Sequence, residues 1–347
     1  MKLKKLLALG LTTVMTAGLL VGCGSGSEES AQGSEDKVYK IGMITDTGGV
    51  NDESFNQSAW KGLQDLKAEY GDKVEVKYLE SKQDADYVPN VETFVDDEYD
   101  LIIGVGYKLE GAIKDASKSY PEKQFAIIDS VVEGDNVNSL VFEDNVSGFL
   151  TGLVAGKMTE TGKVAFIGGI ESDVLSKFEY GYKAGVLTAN PEAKVTSQYA
   201  NSFGDAAKGK SIANQMHKDG VDIIFTAAGA TGTGAIEAAK ENNKKAIGVD
   251  SDQYNLAPEN MLTSAMKNID VAVFNLGKTM LDGNYKSGQV IVNTLATGGV
   301  GLAPTSDKNV DPDTLKYVNE VAEKIKSGEI KVPANKEEFE AQFGKEN

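Results

Sequence analysis

The sequence predicts an α/β protein built from two doubly wound lobes, and three observations carry that prediction. Short apolar runs rich in β-branched residues alternate with single segments of helical periodicity. The series restarts near Val146 in the same order. Several runs end in an acid or in small residues: Asp46, Gly104–Gly106, Asp129, Gly168–Gly169, Ala227–Gly229 and Asp250. Strands separated by single helices form parallel sheets through right-handed crossovers. In such sheets the ligand lies beyond the carboxyl ends of the strands.

In the first half, strands are expected at Tyr39–Thr45, Val74–Leu79, Leu101–Val105, Phe125–Asp129 and Asn138–Phe142. The helix Ser54–Tyr70 is read from Trp60, Leu63, Leu66 and Lys67 at helical spacing, with Ser54 able to cap it. Tyr87–Val95 and Glu110–Lys118 are the next helices. In the second half, helices are expected at Val146–Met158, Phe178–Leu187, Ala206–His217 and Thr233–Glu241. Strands are expected at Lys163–Ile167, Lys194–Tyr199, Asp222–Thr226 and Ala246–Asp250. Strands Met261–Met266 and Gln289–Asn293 and helices Ile269–Leu281 and Asp313–Ile325 complete the chain. The lobes are expected at 38–143 plus 252–286 and at 144–251 plus 287–347.

The N-terminus speaks to the compartment. Lys2, Lys4 and Lys5 precede an uncharged apolar stretch, Leu6–Val21, shorter than a spanning helix usually needs. Residues 1–22 therefore read as a signal peptide. Leu20-Val21-Gly22-Cys23 resembles the lipobox of bacterial lipoproteins. That resemblance implies cleavage before Cys23 and acyl lipid, palmitate included, on the new terminus. Cys23 is the only cysteine, so it has no disulfide partner. Residues 23–37 read as the lipidated Cys followed by a Gly/Ser/acidic tether expected to be flexible. Removing residues 1–22 takes three Lys and no acid from a net charge of −17 and leaves −20. Such a chain is a poor binder of nucleic acid or anionic lipid. All 35 basic residues are Lys; without Arg, the preferred fork for carboxylate and phosphate, an anionic ligand is disfavoured. Genome-wide codon bias is the plainer account of that composition.

Four stretches, in order, resemble the basic membrane protein family of substrate-binding lipoproteins, which is similar to purine nucleoside receptors of ABC importers. They are Asp52-Glu53-Ser54-Phe55-Asn56-Gln57, Gly181-Tyr182-Lys183-Ala184-Gly185, Gly248-Val249-Asp250-Ser251-Asp252-Gln253 and Thr263-Ser264-Ala265-Met266-Lys267. The resemblance implies two Rossmann-like lobes of the type I periplasmic-binding-protein fold, joined by three hinge crossovers, with a nucleoside between them. It implies base stacking by Phe55 and by Phe178 of the other lobe, recognition of the base edge by Asp129, and ribose binding by Asp250 and Lys267. It further implies an ABC permease and ATPase as partners, hinge closure on the ligand, and lipid anchoring on the outer face of the cell membrane. No cofactor or catalytic residue is implied, and a monomer is expected.

The same residues make sense as chemistry. Base–aromatic stacking contributes about 1–3 kcal/mol per base. Ionised carboxylates only accept hydrogen bonds and Lys only donates, so Asp250 with Lys267 covers both senses of a ribose diol. Each residue also has a plainer reading: Phe55 and Phe178 as core, the aspartates as helix caps, Lys267 as a solvated charge. Phe203 and Phe142 rival Phe178. Asp46, Asn51 and Asn56 are further candidates, and Gly229 opens the glycine-rich stretch 229–234, read as a loop allowing close ligand approach. That stretch lacks the Gly-Lys-Ser/Thr ending of a phosphate loop.

A secreted nucleoside-processing enzyme is disfavoured. His217 is the only His, read as a surface residue, and no Ser-His-Asp arrangement or Gly-x-Ser-x-Gly elbow appears. A transcription factor would need a DNA-binding head where this chain reads as a signal peptide and a tether. A sugar or signalling-molecule binder would use the same cleft and stays open as the alternative.

Overall fold

The computed structural model describes residues 37–345. The expected signal peptide and Cys23 lie outside the described residues, as does the tether up to residue 36. In the first lobe β1 (Tyr39–Ile44), α1 (Phe55–Tyr70), β2 (Val74–Leu79), α2 (Tyr87–Asp96), β3 (Leu101–Val105), α3 (Glu110–Ser119), β4 (Gln124–Ile128) and β5 (Val137–Phe142) follow one another. The second lobe continues with α4 (Asp144–Met158), β6 (Lys163–Gly168), α5 (Asp173–Ala189), β7 (Lys194–Tyr199), α6 (Ala206–Lys218), β8 (Ile223–Ala227), α7 (Ala230–Glu241), β9 (Lys245–Asp250) and β10 (Met261–Lys267). The chain then returns for α8 (Ile269–Leu281) and β11 (Val290–Asn293) and crosses again to β12 (Val300–Leu302), α9 (Pro312–Lys326) and α10 (Lys336–Phe343).

Among the described residues the strands form two six-stranded sheets, ordered β2-β1-β3-β4-β5-β11 and β7-β6-β8-β9-β10-β12. The orders correspond strand for strand, and only β12 runs antiparallel to its neighbour. The strand order reverses at β1/β3 and again at β6/β8, and ligands of doubly wound sheets sit at such switch points. Central strands such as β3 and β8 are buried throughout, as a sheet covered by helices on both faces requires.

Sheet membership moves the expected lobe boundaries. β10 pairs with β9 in the second sheet, and β11 pairs with β5 in the first. The chain therefore crosses near Glu143, near Asn268 and over residues 294–299, not at 251 and 286. A short apolar strand reads the same in either lobe; which edge it joins is decided by pairing. The crossings bond to one another: Glu143 N donates to Asn293 O at 3.1 Å, and Asn268 N to Gly299 O at 2.9 Å.

Other expectations also shift. α5 starts at Asp173, five residues earlier than expected, with the Ser172 side chain accepting from Leu175 N at 3.3 Å. α7 starts at Ala230, so most of the glycine-rich stretch is helix and not loop. Its Gly234 packs on α6, where a Cβ would lie 1.8 Å from Ala206 O. Ser54 does not cap α1; Asp52 does, accepting from Ser54 N (3.0 Å), Asn56 N (2.9 Å) and Gln57 N (3.1 Å). His217 is buried, with Nδ1 3.0 Å from Val221 O, and burial lowers its pKa. β12 and α10 were not anticipated; three residues and one buried Phe339 leave too little periodicity.

α4 and α5 pack backbone to backbone. A Cβ on Gly148, Gly152 or Gly156 would fall 2.5, 2.2 or 2.7 Å from the carbonyl of Phe178, Tyr182 or Val186. Gly181 and Gly185 meet α4 in the same way. This contact ties Phe178 on α5 to Asp144 at the start of α4.

Candidate functional site

The strand ends of the two lobes line a cleft with about 510 Å³ of empty space, open solvent included. Asp46, Phe55, Asn56, Asp129, Phe178, Gly229, Asp250 and Lys267, all singled out from the sequence, line it together. Asn51 does not.

On the first lobe, β1 delivers Asp46 and the α1 N-terminus delivers Asn56. Asn56 Nδ2 donates to Asp46 Oδ1 at 2.8 Å and to Asp52 Oδ2 at 3.0 Å, so it clamps two buried carboxylates. Burial pushes Asp46 up to about 6, against hydrogen bonds from Asn56 and Gly48 that lower it. Asp52 is raised by burial too. Phe55 is half-buried, and the edge of its ring comes beside Gly106, where a Cβ would be 3.4 Å from Phe55 Cε1.

Asp129 follows β4 and Asp250 ends β9, the fourth strands of the two sheets in order. Both adopt left-handed backbone, φ 67° and 64°, a conformation that Asp tolerates better than most residues. The turn aims each carboxylate into the cavity. Lys267, at the end of β10 and 1% exposed, places Nζ 2.6 Å from Asp129 Oδ1 and 3.0 Å from Asp144 Oδ1. Its ammonium also lies 5.3, 5.0 and 5.6 Å from the ring centres of Phe55, Phe142 and Phe178. Asp250 and Lys267, the two residues expected at the ribose, both line the cavity, and Lys267 also contacts Asp129 and Asp144. Asp250 accepts from Ser54 Oγ of the opposite lobe.

Negative charge is in excess. Four carboxylates line the cavity, Asp144 lies behind Lys267, and Lys267 is the one cation among the lining residues described. Burial raises Asp144 to about 6 and Asp250 to about 7, in each case against the lowering effect of Lys267. Burial alone would lower Lys267, but Asp129, Asp144 and Asp250 together hold it above its ordinary value. A phosphate would add charge of the unfavourable sign, whereas hydroxyl and N–H donors would relieve it.

Two further aromatic rings come from the second lobe. Phe178 is buried and meets Phe225 edge-on at 6.1 Å. Phe203 is half-buried and lies on Gly169, where a Cβ would be 2.2 Å from Phe203 Cε1. Each lobe thus brings one half-buried phenyl ring beside a glycine just past a switch-point strand, and only the Phe203 ring needs the glycine to be bare. Sequence reasoning did not pick Asp52 or Asp144. Both are ordinary acids beside helix starts, and only their burial sets them apart.

No helix among the described residues is long and apolar enough to cross a membrane, and no cluster of three or more of their His, Cys, Asp and Glu side chains is arranged to hold a metal ion. Comparison with known proteins accords with the geometry. The family described as Bmp, ABC transporter substrate-binding protein PnrA-like, matches residues 39–336. The chain is 43% identical to the CD4+ T-cell-stimulating antigen of Listeria innocua, over 95% of this chain and 99% of that one. It is 36% identical to the ABC transporter nucleoside-binding protein BmpA of Lactococcus lactis subsp. cremoris, over the same shares. A crystal structure of an ABC transporter solute-binding protein from Aeropyrum pernix superposes with a TM-score of 0.80 at 27% identity, covering 87% of this chain and 96% of that one. The family model, the Lactococcus protein and the Aeropyrum structure are all described as binding proteins of ABC transporters. The chain belongs to the PnrA-like family of ABC transporter substrate-binding proteins.

Proposed function

We propose that this extracytoplasmic substrate-binding protein captures a nucleoside, purine nucleosides by preference, and that lipid on Cys23 holds it at the outer face of the membrane beside its permease and ATPase. The observation that carries the ligand reading is the pair of half-buried rings, Phe55 and Phe203, on opposite lobes of a cavity rich in carboxylates. An aromatic base takes the rings; its N–H groups and the ribose hydroxyls donate to Asp129 and Asp250, while Lys267 donates in return. Phe203 suits the second stacking position better than Phe178, because Phe178 is already buried against Phe225. The nucleoside-binding relative in Lactococcus lactis supports the same reading. One chain supplies both walls, so a monomer suffices. Binding both lobes shifts the population towards closure.

Isothermal titration with guanosine, inosine, adenosine, cytidine, ribose, adenine and guanosine monophosphate tests the assignment. Purine nucleosides should bind, the monophosphate should bind far more weakly, and Phe55→Ala should weaken guanosine roughly 10- to 100-fold, the loss of one stacked face. Silence with every nucleoside, and heat with a sugar, would transfer the site to a carbohydrate or other small solute.

A further inference from the structure

The stretches 52–57 and 248–253 each contain residues that do not face the cavity. Asp52, Phe55, Asn56, Val249 and Asp250 line it; Glu53, Ser251 and Gln253 do not. Those remaining positions meet one another across the cleft. Glu53 has a left-handed backbone, φ 54°. Its carbonyl oxygen accepts from Ser251 Oγ at 3.1 Å and from Gln253 Nε2 at 2.8 Å. Beside it, Ser54 Oγ donates to Asp250.

Both halves of the contact are held from within their own lobe. On the first lobe, Gln57 Oε1 accepts from Glu53 N at 3.3 Å, and Asp52 holds Ser54 N at 3.0 Å. On the second, Gln253 is buried, its Oε1 accepts from Val249 N at 3.0 Å, and its own N donates to Ser264 Oγ at 3.1 Å. Gly248 makes room for that fold-back, since a Cβ there would lie 2.3 Å from Gln253 Oε1. With Oε1 occupied, Nε2 is left aimed at the other lobe. Groups ordered beforehand lose little entropy when they join. Ser251 faces a second, open pocket with Gln57, Lys61 and Asn268, and Asp250 borders both pockets.

We propose that this contact is a closure latch, in which Ser251 and Gln253 hold the lobes together over a ligand they do not touch and so set its residence time. The latch rests on the substrate-binding reading but not on the nucleoside assignment. Bonds between lobes exist only when the lobes meet, so their loss speeds dissociation and leaves association nearly unchanged.

The test is stopped-flow binding of guanosine to the mature chain and to two variants. Ser251→Ala removes one bond. Gln253→Glu keeps the bond to Val249 N and turns a carboxylate oxygen, in place of the amide donor, towards the Glu53 carbonyl. Dissociation should quicken roughly 3- to 10-fold in Ser251→Ala, as one neutral hydrogen bond implies, and more in Gln253→Glu, with association within about 2-fold of wild type. Unchanged dissociation in both variants, or a change confined to association, overturns the latch. If the wild-type protein ignores guanosine, that failure belongs to the ligand assignment. Small-angle scattering of the same three proteins, each saturated with whichever solute gives heat in the titration, then reads the latch directly: a larger radius of gyration in both variants supports it, and superimposable curves overturn it.

Discussion

Asp250→Asn should stabilise the protein while it destroys binding. The Asp250 carboxyl is raised from 3.8 to about 7, chiefly by burial. The folded state therefore holds the proton more tightly than the unfolded chain does. Ionisation costs the fold nothing below about pH 4, costs progressively more between about pH 4 and pH 7, and costs a constant amount above. A shift of about 3 pH units at about 1.4 kcal/mol each sets a ceiling near 4 kcal/mol. The amide is isosteric, carries no charge and keeps an oxygen for Ser54 Oγ. Urea unfolding should therefore show a gain of roughly 2–4 kcal/mol at pH 8 and only about 1–2 kcal/mol at pH 5. Guanosine affinity should fall at the same time, because an amide oxygen is a weaker acceptor for hydroxyls than a carboxylate. Stability gained where binding is lost marks a group retained for its site. An equal gain at both pH values, or a loss at pH 8, would refute the claim that buried charge dominates at this position.

Phe178→Ala and Phe203→Ala should separate: the first loses about 3–5 kcal/mol of unfolding free energy as a buried core ring, whereas the second leaves stability nearly intact and weakens guanosine binding roughly 10-fold or more. Equal stability losses in the two variants would remove the distinction between wall and stacking ring. Gly152→Ala drives a methyl to 2.2 Å from Tyr182 O, and thermal and urea unfolding should show a loss of about 3 kcal/mol or more. Gly111→Ala on α3, where a Cβ meets nothing within 4 Å, should instead gain about 0.5–1 kcal/mol. If both substitutions behave alike, the helix contact in α4 is looser than described.

Much of the site was legible because its placement follows from local rules. Asp46, Asp129 and Asp250 sit where strands end, and strand ends in doubly wound sheets converge. Phe178 was harder to judge. Its helical spacing says that it points inward, but not whether its face is free, and Phe225 from a different strand covers it. Phe203 lies in a loop with no periodicity at all; its role depends on Gly169, 34 residues earlier in the chain and bare of side chain.

The sequence by itself determined the alternation of strand and helix, the restart that makes two lobes, and the residues carried to the cleft. Those properties come from neighbours a few positions apart, whose spacing decides which face is buried. Tertiary structure decided which sheet β10 and β11 join, that Asp52 and not Ser54 caps α1, that Lys267 faces Asp129 and Asp144, and that Glu53 meets Gln253. Each of these is settled by geometry that spacing does not encode: an open sheet edge, a carboxylate turned onto three amides, or groups from different lobes brought within 3 Å. Periodicity tells a residue to turn inward, and only packing tells it what it will meet there.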